Sequence, residues 1–237
     1  MIWLHRLAGE PLVHVVFWSS VTIALYGVAK WLYRRWQRAW LTPLGIAPAL
    51  VALVILGLRD SYQDYMHGAG WLLALLGPVT VAFGVPIYEQ RQLIRRHWPV
   101  LLAGMVAGTV ASIGSSWGLA TVMGLHGVLR LSLLPRSIST PFAMAVSGDI
   151  GGMPDLTSVF VAITGIAGAV LGDLLLARLP IVSAMARGAL LGVGAHGAGT
   201  ARAHQIGETE GAVAGLVMVL VGVANVIAAP MVAQLLH

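Results

Sequence analysis

The feature that most constrains this chain is the recurrence of apolar segments long enough to cross a lipid bilayer. Apolar segments fall at 11–33, 42–58, 70–88, 98–116, 118–134, 139–149, 156–177, 181–200 and 209–235. Some of them are too short or too glycine-rich to be ordinary spans, and the alternative for 118–134 and 181–200 is a re-entrant segment. A hydrocarbon core of about 30 Å requires about 20 apolar residues per helix. Only 10% of the residues are charged, whereas soluble domains average about 25%. The sequence therefore predicts an all-α polytopic membrane protein with roughly 7–9 membrane segments.

The charged residues predict the orientation of the chain in the membrane. Basic residues cluster in KWLYRRWQR (30–38) and RQLIRR (91–96), between apolar segments. Because cytoplasmic loops collect Lys and Arg, we expect both stretches in the cytoplasm and Asp155 outside. The N-terminus is then outside and the C-terminus inside. The same placement accounts for the net charge of +5, so we expect no nucleic-acid partner.

The first apolar segment is predicted to be a retained membrane helix. Residues 11–28 run straight into tryptophans and arginines, without the small-residue cleavage site of a secretory signal. No serine-rich, acid-poor transit peptide is recognisable, which favours a bacterial inner membrane. The chain has no cysteine, which excludes a disulfide framework and a thiolate metal site.

A polar stretch, RSISTPFAMAVSGDIGG (136–152), interrupts the apolar sequence. Thr140 is a good helix N-cap and Pro141 is favoured at the first helical position. A helix break at membrane depth survives only where it is buried in protein or lines a wet cavity. Free N–H groups at the helix start, with the hydroxyls of Ser137, Ser139 and Thr140, suit a small anion such as a carboxylate. The alternative is a simple turn at the membrane surface.

Two stretches of the chain share one design. In LLGPVTVAFGVPIYEQ (75–90), Gly77 precedes Pro78, as Thr140 precedes Pro141 in the polar stretch. Each is followed by a helix with small residues four positions apart, a spacing that lets helices approach closely. On the predicted path the two stretches cross the membrane in opposite directions, which is typical of inverted repeats in transporters.

We therefore expect one transmembrane domain over residues 1–237, built from two inverted repeats with broken, discontinuous helices. The N-terminal helix occupies 1–40, the first repeat 41–130 and the second repeat 131–237. No low-complexity segment or long linker interrupts the chain.

A second polar stretch, GVGAHGAGTARAHQIGETEG (192–211), precedes the last apolar segment. If it is helical, His196, Thr200 and His204 lie along one face. Ionisable residues at membrane depth usually mark a substrate or proton pathway, and histidine titrates near neutral pH. The alternative is that residues 201–210 form an exposed loop.

The sequence gives little indication of an enzyme. The chain contains no HExxH, P-loop or GxSxG motif, and His196 with His204 supplies too few ligands for zinc. The GxGxxG at 192–197 has no βαβ context for a dinucleotide. Asp149 and Asp173 each follow a glycine, as in paired-carboxylate intramembrane proteases, but nothing else supports that pairing. We expect no catalytic residue, cofactor or metal.

Three motifs, in their order and spacing, resemble the LrgB/CidB family. They are LLGPVTVAFGVPIYEQ, LPRSISTPFAMAVSGDIGGMPDLTSVF and AHGAGTARAHQIGETEGAVAGL, and the resemblance extends over residues 40–235. Members of that family are described as holin- or antiholin-like, or as murein hydrolase exporters. Its plastid relatives are glycolate/glycerate translocators, and bacterial members have been linked to pyruvate uptake. The resemblance therefore implies either transport of small acids or control of cell lysis.

The resemblance also implies a partner protein. Family members usually act with a small membrane protein, LrgA or CidA, which is fused in front of the plastid translocators. This chain shows no such segment, so we expect a separate LrgA/CidA-like partner. We also expect a homo-oligomer, taken as a dimer, within the lipid bilayer.

The family pattern can be carried over position by position. It falls on Gly77, Pro78, Thr80, Pro86, Ser137, Thr140, Pro141, Gly151, Gly152, Pro154, His196, Gly199, Thr200, Glu208, Glu210 and Gly211. The chain departs from the pattern at Ala145, where the family often has an acid, at Ala195, where it has serine, and at Arg202, where lysine is common. The acid missing at 145 bears on coupling or substrate choice.

These observations together predict a transporter of small hydroxy- or keto-monocarboxylates, such as glycolate, glycerate, lactate or pyruvate. Its site is expected near the bilayer midplane, between two helix breaks. The expected binding residues are Thr80, Ser137, Ser139, Thr140, Pro141, His196, Gly199 and Thr200, and the candidates for ion coupling are Asp149, Glu208 and Glu210. The alternative is a holin/antiholin-like pore or regulator of murein hydrolase export and cell lysis, which needs no such site.

Overall fold

The computed structural model describes residues 11–36 and 41–236, and these residues form helices and short connections without any strand. The helices are α1 Pro11–Trp36, α2 Pro43–Leu58, α3 Tyr62–Ala69, a 3-10 helix Gly70–Leu75, α4 Leu76–Ala82, α5 Gly84–Glu89, α6 Arg91–Val122, α7 Gly127–Leu133, α8 Thr140–Asp149, α9 Pro154–Arg178, α10 Ala184–Ile206 and α11 Glu208–Leu236. The predicted all-α class is confirmed. Parts of the predicted segments 1–40 and 30–38 lie outside the described residues.

Among the described residues, five helical stretches are long and apolar enough to cross a membrane. They are Leu12–Trp36, Tyr62–Glu89, Arg91–Val122, Pro154–Arg178 and Glu208–Met231. The predicted count of 7–9 segments is not confirmed. One reason is that apolar residues 118–122 complete α6, which leaves the rest of the 118–134 segment to α7. A helix of seven residues spans only about 10 Å, too short to cross a hydrocarbon core.

The chain divides into two compact units, Met1–Val79 and Thr80–His237. In the first, Trp18 is fully buried, with its ring 5.3 Å from that of Tyr65 in an edge-to-face arrangement. The Trp71 indole N–H donates to the Ser19 hydroxyl at 2.8 Å. These contacts join α1 to the stretch that begins with α3.

The core of the second unit is formed mainly by α8 and α11. Its buried side chains include Ile138, Phe142, Val146, Ile150, Val213, Leu216, Val217 and Val221. Gly222 lies so close to the Phe142 ring that an added Cβ would overlap it. Lipid tails are as apolar as these side chains, so close packing stabilises this contact more than exclusion of water does.

The two stretches of similar design fold differently, and the inverted repeats are not confirmed. Pro141 lies in the first turn of α8, directly after the non-helical residues 134–139. Pro78 lies inside α4, where Thr80 is also found. The stretch around Pro78 is interrupted only at a turn residue, Phe83, whose backbone angles are still helical. The backbone N–H groups in the first turn of a helix have no partner within that helix, so a proline there removes no hydrogen bond. Such a proline therefore does not require a non-helical segment before it.

Candidate functional site

Residues 127–149 form a helical hairpin that runs back alongside α6. We call α7, the segment 134–139 and α8 the first hairpin. The Arg130 guanidinium lies over the Trp117 ring, 3.2 Å from its centroid. Six residues further on, the Arg136 guanidinium reaches the hydroxyl of Ser116. As the hairpin advances its partners on α6 move back toward Arg91, so this arm is antiparallel to α6.

The second arm of the first hairpin returns to the end of α7. The Thr157 hydroxyl lies 2.7 Å from the Ser147 hydroxyl near the end of α8 and 2.9 Å from the carbonyl oxygen of Ser132 in α7. The Ser132 hydroxyl in turn accepts from the backbone N–H of Met153. Both arms therefore meet at the beginning of α9, and the tip of the hairpin is the segment around 136–140.

Helix α10 is a second hairpin, folded at His196. Its backbone there is non-helical, with φ 38° and ψ −116°. Gly199 lies against the carbonyl of Leu191, although eight residues of straight helix span about 12 Å. The arm before the fold packs its Gly192 on Ala214 of α11. We call residues 184–206 the second hairpin, with its tip at His196.

The returning arm of the second hairpin confirms the reversal. His204 lies against Gly211, and the methyl of Thr200 lies near Gly215. The first arm runs in the opposite direction along α11, since Gly188 lies against the Glu210 backbone and Gly192 against Ala214. Positions 188 and 204 thus lie at one level of α11, although 16 residues separate them in the chain.

The two hairpins approach α9 from opposite ends and their tips meet near its middle. The Arg136 guanidinium bonds the hydroxyl of Thr164, ten residues after Pro154. Gly168 lies against Gly194, just before the second tip, and is ten residues from Arg178. Each ten-residue step is about 15 Å of helix, half of a hydrocarbon core of about 30 Å.

Arg136 supplies a cation at this junction. Its Nε donates to Ser116 Oγ at 2.9 Å, one terminal nitrogen to Thr164 Oγ1 at 3.2 Å and the other to Ser115 Oγ at 3.2 Å. All three partners are neutral hydroxyls. Among the residues the structure describes, the recorded ion pair joins Arg202 to Asp173, so Arg136 has no carboxylate within bonding distance.

Two buried polar atoms beside Arg136 lack partners. His196 is only 3% exposed, its imidazole interacts with the backbone of Arg136, and its Nε2 has no hydrogen-bond partner among the described residues. Ser139 is 6% exposed and its hydroxyl is likewise unpartnered within the described part of the chain. An unpaired buried polar group costs about 1–3 kcal/mol, so these atoms favour a polar ligand at the tips.

The structure shifts the predicted helix cap by one residue. Ser139, not Thr140, is the N-cap of α8; Thr140 is the first helical residue and Pro141 the second. The Ser139 side chain makes no capping bond, which leaves its hydroxyl available. Ser137 lines a narrow cleft together with Ser112 of α6.

The other predicted residues lie at different distances from the tips. Gly199 is buried in the fold of the second hairpin. The Thr200 hydroxyl approaches the Met218 sulfur at 3.8 Å, toward α11. Of the three residues expected on one face, Thr200 and His204 both face α11, whereas His196 is the non-helical residue at the break itself. Thr80 is half-buried in α4, three residues before Phe83, whose ring lies 5.5 Å from that of Phe142.

The three coupling candidates lie at helix ends. Asp149 is exposed at the end of α8, about 13 Å along the helix from its first residue. Glu208 and Glu210 lie in the first turn of α11, where a carboxylate is favoured by the helix dipole. Their role in coupling stays a prediction.

Sequence reasoning missed Arg136 and its hydroxyl partners. Arginines between apolar segments usually report topology, so an arginine at position 136 does not by itself indicate a site. Ser115, Ser116 and Thr164 lie within apolar helices and carry no motif. The available signal was that Arg136 begins the polar stretch itself, with Pro135 before it and Ser137 after it.

Comparisons with known proteins identify relatives over nearly the whole chain. A model of the LrgB-like family matches residues 22–235. The uncharacterized protein YwbG of Bacillus subtilis (strain 168) is 36% identical over 210 residues, which is 89% of this chain and 93% of the relative. The antiholin-like protein LrgB of the same organism is 32% identical over 229 residues, 96% of this chain and 99% of the relative. No solved structure matches.

Proposed function

Because this chain belongs to the LrgB-like family, we propose that it is a membrane transporter of small hydroxy- or keto-monocarboxylates, such as glycolate, glycerate, lactate or pyruvate. The single observation that carries this proposal is the meeting of two helical hairpins halfway along α9, with the cation of Arg136 and the unpartnered Nε2 of His196 at their tips. Hairpin breaks at membrane depth are tolerated where they line a cavity, and such tips form substrate sites in transporters.

The chemistry of the tips suits a small acid. A carboxylate accepts hydrogen bonds from a guanidinium and from free N–H groups at a helix start. The Ser139 hydroxyl and the His196 imidazole offer partners for one further oxygen.

We place the protein in the bacterial inner membrane as a homodimer that acts with an LrgA/CidA-like protein, and Asp149, Glu208 and Glu210 remain candidates for ion coupling.

A second candidate is an antiholin-like regulator of murein hydrolase export and lysis. The name of the Bacillus subtilis relative favours this candidate, and the names of the relatives support it better than they support transport of any particular acid. The geometry of the tips favours the first, because a lesion formed by oligomerisation needs no buried cation aimed at a small ligand.

Flux into proteoliposomes separates the two candidates. The purified chain is reconstituted, alone and with its LrgA/CidA-like partner. The uptake of labelled pyruvate and glycolate is then compared with the uptake of labelled sucrose. A transporter gives uptake that saturates with acid concentration and excludes sucrose. A pore passes all solutes without saturation, and a regulator passes none; either result overturns the proposal.

A further inference from the structure

We propose that Arg136 is the residue that binds the carboxylate of the transported acid, so that the site selects anions over neutral molecules of the same shape. This inference rests on the proposed transport function and adds to it the group that recognises charge. The names of the relatives do not point to this arginine, and it is not among the positions carried over from the family pattern, although it lies within the second motif.

The first support is the electrostatic environment of Arg136. A cation at the middle of a bilayer is expensive and usually faces a partner or a wet cavity. The three hydrogen bonds of the guanidinium go to Ser115, Ser116 and Thr164, which carry no charge. The positive charge is therefore oriented by neutral groups and is not neutralised by any carboxylate among the described residues.

The second support is the unused hydrogen-bonding capacity of the same group. A guanidinium has five N–H donors, and the recorded bonds of Arg136 use three. Each of the two terminal nitrogens gives one bond to a hydroxyl, which leaves one further N–H on each. A carboxylate accepts charge-assisted hydrogen bonds from guanidinium N–H groups, and the side chain is only half-buried, so an acid can reach it.

The third support comes from the neighbours of Arg136. A narrow cleft next to the tip is lined by Ser137 together with Thr109, Ser112 and Asn225. His196 Nε2 and Ser139 Oγ are both more than nine-tenths buried and lack partners in the described part of the chain. Both atoms belong to residues of the hairpin tips, as Arg136 does.

The opposing interpretation is that Arg136 only cross-links α6, the first hairpin and α9. Loss of a cross-link would weaken every ligand equally, because the whole site would loosen. Loss of a charge-recognising group would weaken an anion specifically. The ratio of affinities for pyruvate and for its neutral amide, pyruvamide, therefore distinguishes the two roles.

The test compares Arg136→Gln and Arg136→Lys with wild type, each purified in detergent with its LrgA/CidA-like partner. Binding of pyruvate and pyruvamide is measured by calorimetry, and folding by size-exclusion chromatography and thermal melting. We expect wild type to prefer pyruvate at least 100-fold. Arg136→Gln should bring that ratio below fivefold, and Arg136→Lys should keep an intermediate preference, because it retains charge without the planar fork.

The matched control is Arg130→Gln, an arginine of the same hairpin that lies over Trp117 and outside the tip. It should retain the wild-type ratio within twofold. If Arg136→Gln keeps the preference for pyruvate, this inference is wrong and the transport function stands. If wild type binds neither compound nor any of the other acids, the transport function fails and the inference fails with it. If the glutamine variant does not fold, Arg136→Met, a second neutral variant, decides: a preference for pyruvate that is kept there overturns the inference.

Discussion

His196 adopts a backbone conformation that residues other than glycine rarely show, with φ 38° and ψ −116°. Sparsely populated conformations of this kind cost about 1–3 kcal/mol and cluster at functional sites. The position would be easier to fold with glycine, which has no Cβ. A histidine here is therefore explained by what its imidazole does, and its buried, unpartnered Nε2 indicates a ligand contact.

We expect His196→Ala and His196→Gly to differ in stability but not in binding. Both remove the imidazole and should weaken pyruvate binding at least tenfold, which is about 1.4 kcal/mol. His196→Gly should melt at a higher temperature than His196→Ala, since glycine relieves the strain. Calorimetry and thermal melting of the purified variants measure both effects. Wild-type affinity in the glycine variant would show that the imidazole is not a ligand.

At the scale of elements, close packing between helices holds the hairpins in place. Gly168 of α9 lies against the backbone of Gly194 at the second hairpin, and an added Cβ would overlap that carbonyl. Gly104 of α6 has open space where its Cβ would be. The Cβ of an alanine would therefore overlap a neighbouring backbone at position 168 and meet no neighbouring atom at position 104.

We predict that Gly168→Ala lowers the melting temperature by several degrees and weakens pyruvate binding, because α9 and the second hairpin must separate. Gly104→Ala should leave binding unchanged and keep or raise the melting temperature, since alanine stabilises an exposed helical position by about 0.5–1 kcal/mol relative to glycine. Thermal melting of both variants in one detergent checks the pair. Equal behaviour of the two variants would contradict the packing of the second hairpin on α9.

The elements themselves were predictable where hydrophobicity alone determines them. The apolar segments at 156–177 and 209–235 correspond closely to α9 and α11, because a bilayer requires about 20 apolar residues per helix. The segment at 118–134 does not form a single helix, and composition does not reveal that α6 continues to Val122. A re-entrant course within 181–200 is an alternative that the sequence leaves open, but the position of the reversal at His196 is not predictable, because it depends on the packing of Gly188 and Gly192 against α11.

At the scale of the whole molecule, the first hairpin determines how many times the chain crosses the membrane before α9 begins. Since both arms meet near Thr157, the hairpin enters and leaves on one side. The chain therefore crosses once between RQLIRR at 91–96 and Asp155, through α6. Because basic stretches favour the cytoplasm, we expect Asp155 outside.

We predict opposite labelling of two exposed positions in this cysteine-free chain. Gln92→Cys should react only with a membrane-permeant thiol reagent, and Asp155→Cys should react with an impermeant reagent added to intact cells. Each variant serves as the control for the other. Labelling of both positions from the same side would contradict a single crossing between residues 92 and 155.

The most direct test of a monocarboxylate site at the hairpin tips is substrate protection of Ser137→Cys, a half-buried position that lines the cleft beside Arg136. Its rate of labelling by a small thiol reagent is measured in membranes that contain the LrgA/CidA-like partner, with Val106→Cys, exposed on α6, as the control. We predict that millimolar pyruvate or glycolate slows labelling at 137 at least fivefold and leaves 106 unchanged. Equal labelling rates at 137 with and without the acids would contradict a binding site at this junction.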